Sequence, residues 1–177
     1  MLSLRDAKFH DGSPITSADV VYSFQRLLAM KRGPASAFLP VLDPKDVTAP
    51  DAKTVKFVLK HAYQPFLSTL PLVRIVNPRV IKSNEKTGDW GAAWLASNAA
   101  GSGPYTLDAA SYKPVEELDM KRNADHFIGW GHNQRPIDIV RCRNIKETTT
   151  RVNALLKGDI DATDSYLPTD QVERILK

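Results

Sequence analysis

The sequence predicts a mixed α/β (α+β) chain that combines antiparallel hairpins with one βαβ unit. Three observations lead to that class. An apolar stripe at helical spacing (Val20, Val21, Phe24, Leu27, Leu28) follows a helix-starting signal near the N-terminus. Two stretches, 46–60 and 104–122, alternate apolar and polar residues on either side of turn residues. The last third then reads strand, helix, strand in about 27 residues, which fits a parallel pair with a right-handed crossover.

The elements follow in order. "AKF" at 7–9 is short and strand-like, and Asp11-Gly12 is a strong turn signal. Pro14 stiffens the approach to Thr16, and Asp19 sits three residues after Thr16. That spacing is a capping-box variant: the Thr16 hydroxyl is expected to accept from the Asp19 N–H, and an acid in the first turn suits the helix dipole. A helix is predicted from about 17 to 30, ended by Gly33-Pro34. In 46–60, "DVTA" and "TVKFVLK" flank the turn "PDAK", with Val55, Phe57 and Leu59 on one face. "YQPFLSTL" reads as a short helix opened by Pro65, "VRIV" as a strand closed by Asn77-Pro78, and "DWGAAWLAS" as a short helix. "AAGSGPYTL" at 99–107 is a clear break, and a second hairpin pairs 104–109 with 115–122. "PIDIVRCRNI" reads as a strand and "TTTRVNALLKG" as a helix with threonine caps in front and Gly158 at its C-terminal end. "DIDAT" completes the strand–helix–strand unit.

Composition narrows the function classes. The chain has 177 residues, 42% hydrophobic and 25% charged, enough for one or two small domains with a real core. No run of about 18 apolar residues is present, so no transmembrane helix is expected. "MLSLRDAKFHDG" lacks the apolar core of a signal peptide. The net charge is +4, but the basic residues are scattered, with "KRG" at 31–33 and "RCR" at 141–143 the densest spots. A nucleic-acid binder needs a basic stripe, so no nucleic-acid partner is expected. Cys142 is alone, which excludes an intrachain disulfide and a cysteine metal cluster and predicts a small buried hydrophobe in a strand.

Candidate chemistry is thin. His10 and Asp11 invite a hydrolytic reading, but their setting is that of a helix-starting turn. His126 and His132 stand six apart across "HFIGWGH", which is not a metal-helix spacing and reads as solvated loop histidines. "GSG" at 101–103 precedes a strand and is no nucleophile elbow. Asp159 and Asp161 would share a strand face and repel if buried, so they read as solvent-facing acids. Neither a metal nor a cofactor is expected. One site follows from topology: ligands of open α/β sheets bind past the carboxyl ends of parallel strands. The end of "DIDAT" offers Thr163, Asp164, Ser165 and Tyr166, a set that suits hydrogen bonding to a small polar ligand. The competing reading is that Asp164 or Ser165 caps the next helix, "LPTDQVERILK", a role Thr169 could also fill.

Several motifs then line up. "LRDAKFHDGSPITSADVVYSFQRL" resembles the signature of the bacterial extracellular solute-binding proteins of the peptide and nickel type, matching at Leu4-Arg5, Phe9-His10-Asp11-Gly12, Pro14-Ile15-Thr16, Asp19-Val20-Val21 and Ser23-Phe24. "GSGPYTL" resembles the family's Gly-Thr-Gly-Pro-Tyr segment. "MKRNADHF" resembles its Arg-Asn-Pro segment, with Ala124 where proline is common, and "TTRVNALLKGDIDAT" resembles its helix followed by Gly-Glu-Ile-Asp. The resemblance implies a lobe of the periplasmic-binding-protein-like fold and a substrate-binding component of an ABC importer, not an enzyme. It acts outside the cytoplasmic membrane on peptides or similar small solutes, with ABC permease subunits as partners. Members are much longer, so the chain is expected to be a partial first lobe: residues 1–98 a small subdomain, residues 99–177 part of the core α/β subdomain, together about half of a cleft. Ligand contacts are implied near Ser36, Ala37 and Phe38, and again at Asp164, Ser165 and Tyr166. A sensor module built on the same receptor fold is the alternative.

Overall fold

The structure, a computed structural model, describes residues 1–176. It carries two antiparallel three-stranded sheets. The first has the order β1 (Leu2–Ser3), β3 (Thr54–Phe57), β2 (Val47–Asp51), and the second runs β4 (Tyr105–Lys113), β5 (Glu117–Arg122), β6 (Ile139–Arg143).

Helix α1 (Ser17–Met30) organises the first half. Asp19 Oδ2 accepts the Thr16 N–H at 2.8 Å and the Thr16 hydroxyl at 2.9 Å. The expected capping box is formed: the Thr16 side chain accepts from the Asp19 N–H, which also lies 3.1 Å from the Thr16 carbonyl, while the hydroxyl proton goes to the Asp19 carboxylate. The helix start is tied to the β2–β3 turn: the Ser17 N–H reaches the Ala52 carbonyl, and the Ser17 hydroxyl the Asp51 carbonyl. Lys31, in the left-handed region, ends the helix. The apolar stripe then buries Val20, Phe24 and Leu28 against Phe38, Val41, Leu42, Val47, Val55 and Phe66. Phe24 sits at the centre, edge-on to Phe38 at 5.6 Å and to Phe57 at 4.9 Å, geometries that aromatic quadrupoles favour.

Short helices α2 (Ala35–Phe38) and α3 (Phe66–Thr69) bring Phe38 and Phe66 into this core, and α4 (Pro78–Asn84) and α5 (Ala92–Leu95) follow, α4 packing on α1. The strand expected at "VRIV" does not form. The Val76 N–H goes to the Ser23 hydroxyl at 3.1 Å and the Asn77 N–H to the Ala100 carbonyl at 2.8 Å, so these donors are already used. "AKF" contributes one isolated bridge, Lys8 to Pro14.

The second half is open. Its hairpin has the expected pairing, with Leu107 opposite Met120, and β6 adds antiparallel on the far side of β5, with Leu118 opposite Cys142. No strand residue of this sheet is buried, and beyond Ala100 the one fully buried hydrophobic residue among the described residues is Val152 on α6 (Thr148–Lys157). Cys142 is exposed, against the expectation of a buried strand position, because the described residues lay nothing over that face of β6.

The βαβ unit is not formed. Its first strand and helix are present, but 159–163 is irregular and every named strand pair is antiparallel. The Gly158 and Asp159 N–H groups turn back onto the Leu155 and Ala154 carbonyls as the C-terminal cap of α6, and Asp159 is thereby withdrawn from any ladder. The threonine cap of α6 is also corrected: Glu147 is the cap residue and Thr148 the first helical one. Helix α7 (Thr169–Leu176) closes the described chain.

Phe38 is fully enclosed, with Phe24 and Phe66 edge-on to its ring. Phe38→Ala is expected to lower the unfolding free energy by about 3–5 kcal/mol in urea titrations. Tyr166→Ala, at a residue 89% exposed, is expected to leave the midpoint unchanged.

Candidate functional site

The turn Phe9–Ser13 is a structural joint. Phe9 is buried, and the Gly12 N–H closes the turn onto the Phe9 carbonyl. His10 donates its backbone N–H to the Gly101 carbonyl at 3.0 Å, and its Nε2 lies 3.0 Å from the Gly103 carbonyl, which requires a proton on Nε2. The Asn123 side chain reaches the same Gly103 carbonyl at 3.4 Å, while its backbone N–H bonds to Pro104 at 2.8 Å. Three of the motif segments thus meet at one oxygen. Asp11 is equally occupied. Its Oδ1 accepts from the Ser13 hydroxyl and N–H, and its Oδ2 from the Asn77 side chain at 2.7 Å. Asn77 is almost wholly buried and caps α4 through the Arg79 N–H. Both side chains that suggested hydrolysis are spent on holding backbone.

The first expected contact set divides. Ser36 is exposed and its hydroxyl reaches back to the Gly33 carbonyl. Ala37 is half-buried against the core. Phe38 is a core side chain with no surface to offer a ligand in this conformation; helix periodicity turns it inward beside Ala35.

The second set lies in the turn between α6 and α7, no longer at the end of a parallel strand. Asp164 caps no helix, since α7 begins at Thr169. Its Oδ1 accepts the Tyr166 N–H at 2.9 Å, and its Oδ2 is 3.4 Å from Nε of Arg151, a residue that motif reading passed over. Ser165 and Tyr166 are exposed, and the Thr163 hydroxyl is buried without a partner. Among the described residues no hydrogen bond or ion pair joins this set to Ser36–Phe38. What the turn can do is hydrogen-bond and stack; it contains no nucleophile–base pair.

The histidines of "HFIGWGH" pack on Trp130. His132 stacks parallel to it, and His126 lies tilted at 6.4 Å. Burial, reinforced by the charges of His10 and His132, lowers the His126 pKa below the ordinary imidazole value. Among the described residues no group of three or more His, Cys, Asp or Glu could hold a metal ion.

Comparison with known proteins gives a single family. The model of the bacterial extracellular solute-binding proteins, family 5, middle region, matches residues 2–177. The probable D,D-dipeptide-binding periplasmic protein DdpA of Escherichia coli is 40% identical over 178 residues, covering 98% of this chain and 32% of that protein. The periplasmic murein peptide-binding protein MppA of the same organism is 30% identical over 193 residues, covering 99% and 34%. The crystal structure of Haemophilus influenzae OppA in complex with RPPGFSPFR superposes with a TM-score of 0.72 at 25% identity, over 98% of this chain and 36% of that one. The chain therefore spans about a third of the length of these relatives.

The joint also sets an acid response. The Ser13 hydroxyl foremost, opposed by burial and helped by the Ser13 N–H, Asn77 and Arg79, holds the Asp11 carboxyl below its usual range. A carboxyl depressed in the folded state adds stability above its unfolded pKa of about 3.9, and loses it as pH falls through the folded value. Between pH 6 and pH 3, wild type is expected to lose more stability than Asp11→Asn, as read from urea midpoints.

Proposed function

The chain belongs to the bacterial extracellular solute-binding proteins of family 5, and on that premise we propose that it forms part of the ligand-binding wall of an ABC importer's substrate-binding component. The observation that carries this is the family match across residues 2–177. Its place of action is outside the cytoplasmic membrane, its partners are ABC permease subunits, and its task is capture without turnover. The engagement of His10 with the Gly103 carbonyl and of Asp11 with Ser13 and Asn77 supports the last point.

Short peptides are the proposed ligands, in line with the peptide-binding descriptions of the relatives. The contacts are proposed at Ser36 and Ala37 and at Thr163, Asp164, Ser165 and Tyr166, with Phe38 as the buried anchor of the first set. The exposed Tyr166 ring beside the Ser165 hydroxyl and the Asp164 carboxylate supports the second set. A hydroxyl and a carboxylate satisfy peptide N–H groups, and an aromatic ring covers a side chain. The division of the wall is proposed at residues 98/99, a small subdomain before it and part of the core α/β subdomain after it, in keeping with one sheet on each side.

Solute-binding lobes close on their ligand from two sides, and most of a ligand's affinity comes from the surface buried between them. The chain spans about a third of the length of its relatives, and the part proposed for it is one wall of such a cleft. Calorimetric titration with mixed di- to hexapeptides and with D-alanyl-D-alanine is expected to give weak binding only. Submicromolar affinity would contradict the one-wall reading.

A further inference from the structure

We propose that Arg151 is the positioning residue of the 163–166 turn, holding it in the shape that meets ligand. The inference rests on the proposed ligand contact of that turn and adds a residue outside it.

Arg151 lies on α6 beside Val152, the fully buried side chain of that helix. Its own side chain is largely enclosed, 18% exposed. Nη1 donates to the Ile145 carbonyl at 2.9 Å, in the segment that leads into α6. Nε faces Asp164 Oδ2 at 3.4 Å, in the segment that follows α6. One guanidinium thus spans from the entry to the exit of the helix. The far oxygen of Asp164 then holds the Tyr166 N–H at 2.9 Å. The chain of contacts runs from Arg151 through the Asp164 carboxylate to the backbone that carries Tyr166.

Two features suit arginine to this task. Its planar guanidinium donates one hydrogen bond through Nη1 and presents its charge to Asp164 across Nε, which makes no hydrogen bond there; a lysine ammonium on a flexible stem does not hold both contacts at fixed angles. The guanidinium is held largely out of water while the Asp164 carboxylate is 47% exposed, so its hold on the turn comes from position more than from an unscreened charge. The pairing of α6 with α7 does not depend on this residue: Arg174 Nη2 donates to Asn153 Oδ1 at 2.8 Å and ties the two helices separately. Removing Arg151 therefore frees the turn without releasing α7.

The test uses the whole chain, with Arg151→Met, Arg151→Lys, Tyr166→Ala and Arg174→Met. The first readout is amide hydrogen exchange by NMR. Arg151→Met is expected to speed exchange of the Tyr166 N–H by about tenfold, the scale of one lost hydrogen bond. The amides of α6 should keep their wild-type rates, Arg151→Lys should recover part of the protection, and Arg174→Met should leave Tyr166 unchanged. An unchanged Tyr166 rate in Arg151→Met overturns the proposal. An equal acceleration across α6 also overturns it, because Arg151 would then be holding the helix. The second readout is NMR titration with millimolar D-alanyl-D-alanine. Weakening by both Arg151→Met and Tyr166→Ala supports the proposal. Faster exchange at Tyr166 with affinity unchanged in both variants overturns the ligand-contact reading and leaves the positioning role standing.

Discussion

The carbonyl of Gly103 is the point on which the arrangement depends. It receives the His10 ring from the N-terminal turn and the Asn123 side chain from the end of β5. Through the same turn, Asp11 holds Asn77 at the start of α4. The helix core and the second sheet are thereby joined by directed hydrogen bonds as well as by chain connectivity. A carbonyl that accepts twice in a partly buried place is costly to disturb, since each freed donor loses its partner without gaining full hydration. This accounts for a motif that looks reactive and does no chemistry: His, Asp and Ser are used here as donors and acceptors of fixed geometry.

The two halves differ in how they are held. The first half buries a phenylalanine-centred core beneath α1, and dispersion and burial stabilise it. The second half relies on cross-strand ion pairs instead, such as the two-point Arg141–Asp119 contact at 2.7 Å, with Arg141 about half exposed. Exposed pairs of this kind contribute little. Ile137, Ile139, Leu156 and Leu176 meanwhile remain more than half exposed. A sheet with neither face covered by a core is marginal on its own, so the half that carries the proposed contact turn is also the half with least packing to hold its shape. Local clamps such as Arg151 matter most in such a place.

The sequence made the first half legible because its signals are local. The stripe from Val20 to Leu28 and the Thr16–Asp19 spacing place α1 at the residues where it forms. The hairpins were legible from alternation and turn residues. What failed was what depends on partners. "VRIV" and "DIDAT" have strand-like composition, but a strand needs a neighbour with free donors and acceptors; Ser23 and Ala100 take up the first, and the α6 cap takes the start of the second. Phe38 is enclosed although its segment follows a loop, because proximity to a loop says nothing about which way a helix turns. The partners of Arg151 lie before and after its helix, so no short motif records them.

On the proposed reading, the turn at 9–13 is a joint, and ligand meets the chain at Ser36–Ala37 and Thr163–Tyr166. The most direct measurement is photo-crosslinking with a dipeptide that carries a photoreactive side chain, with adducts mapped by mass spectrometry. The account predicts adducts at Ser36–Ala37 and Thr163–Tyr166, competed away by excess unlabelled dipeptide. Competable adducts confined to His10–Ser13 would contradict it.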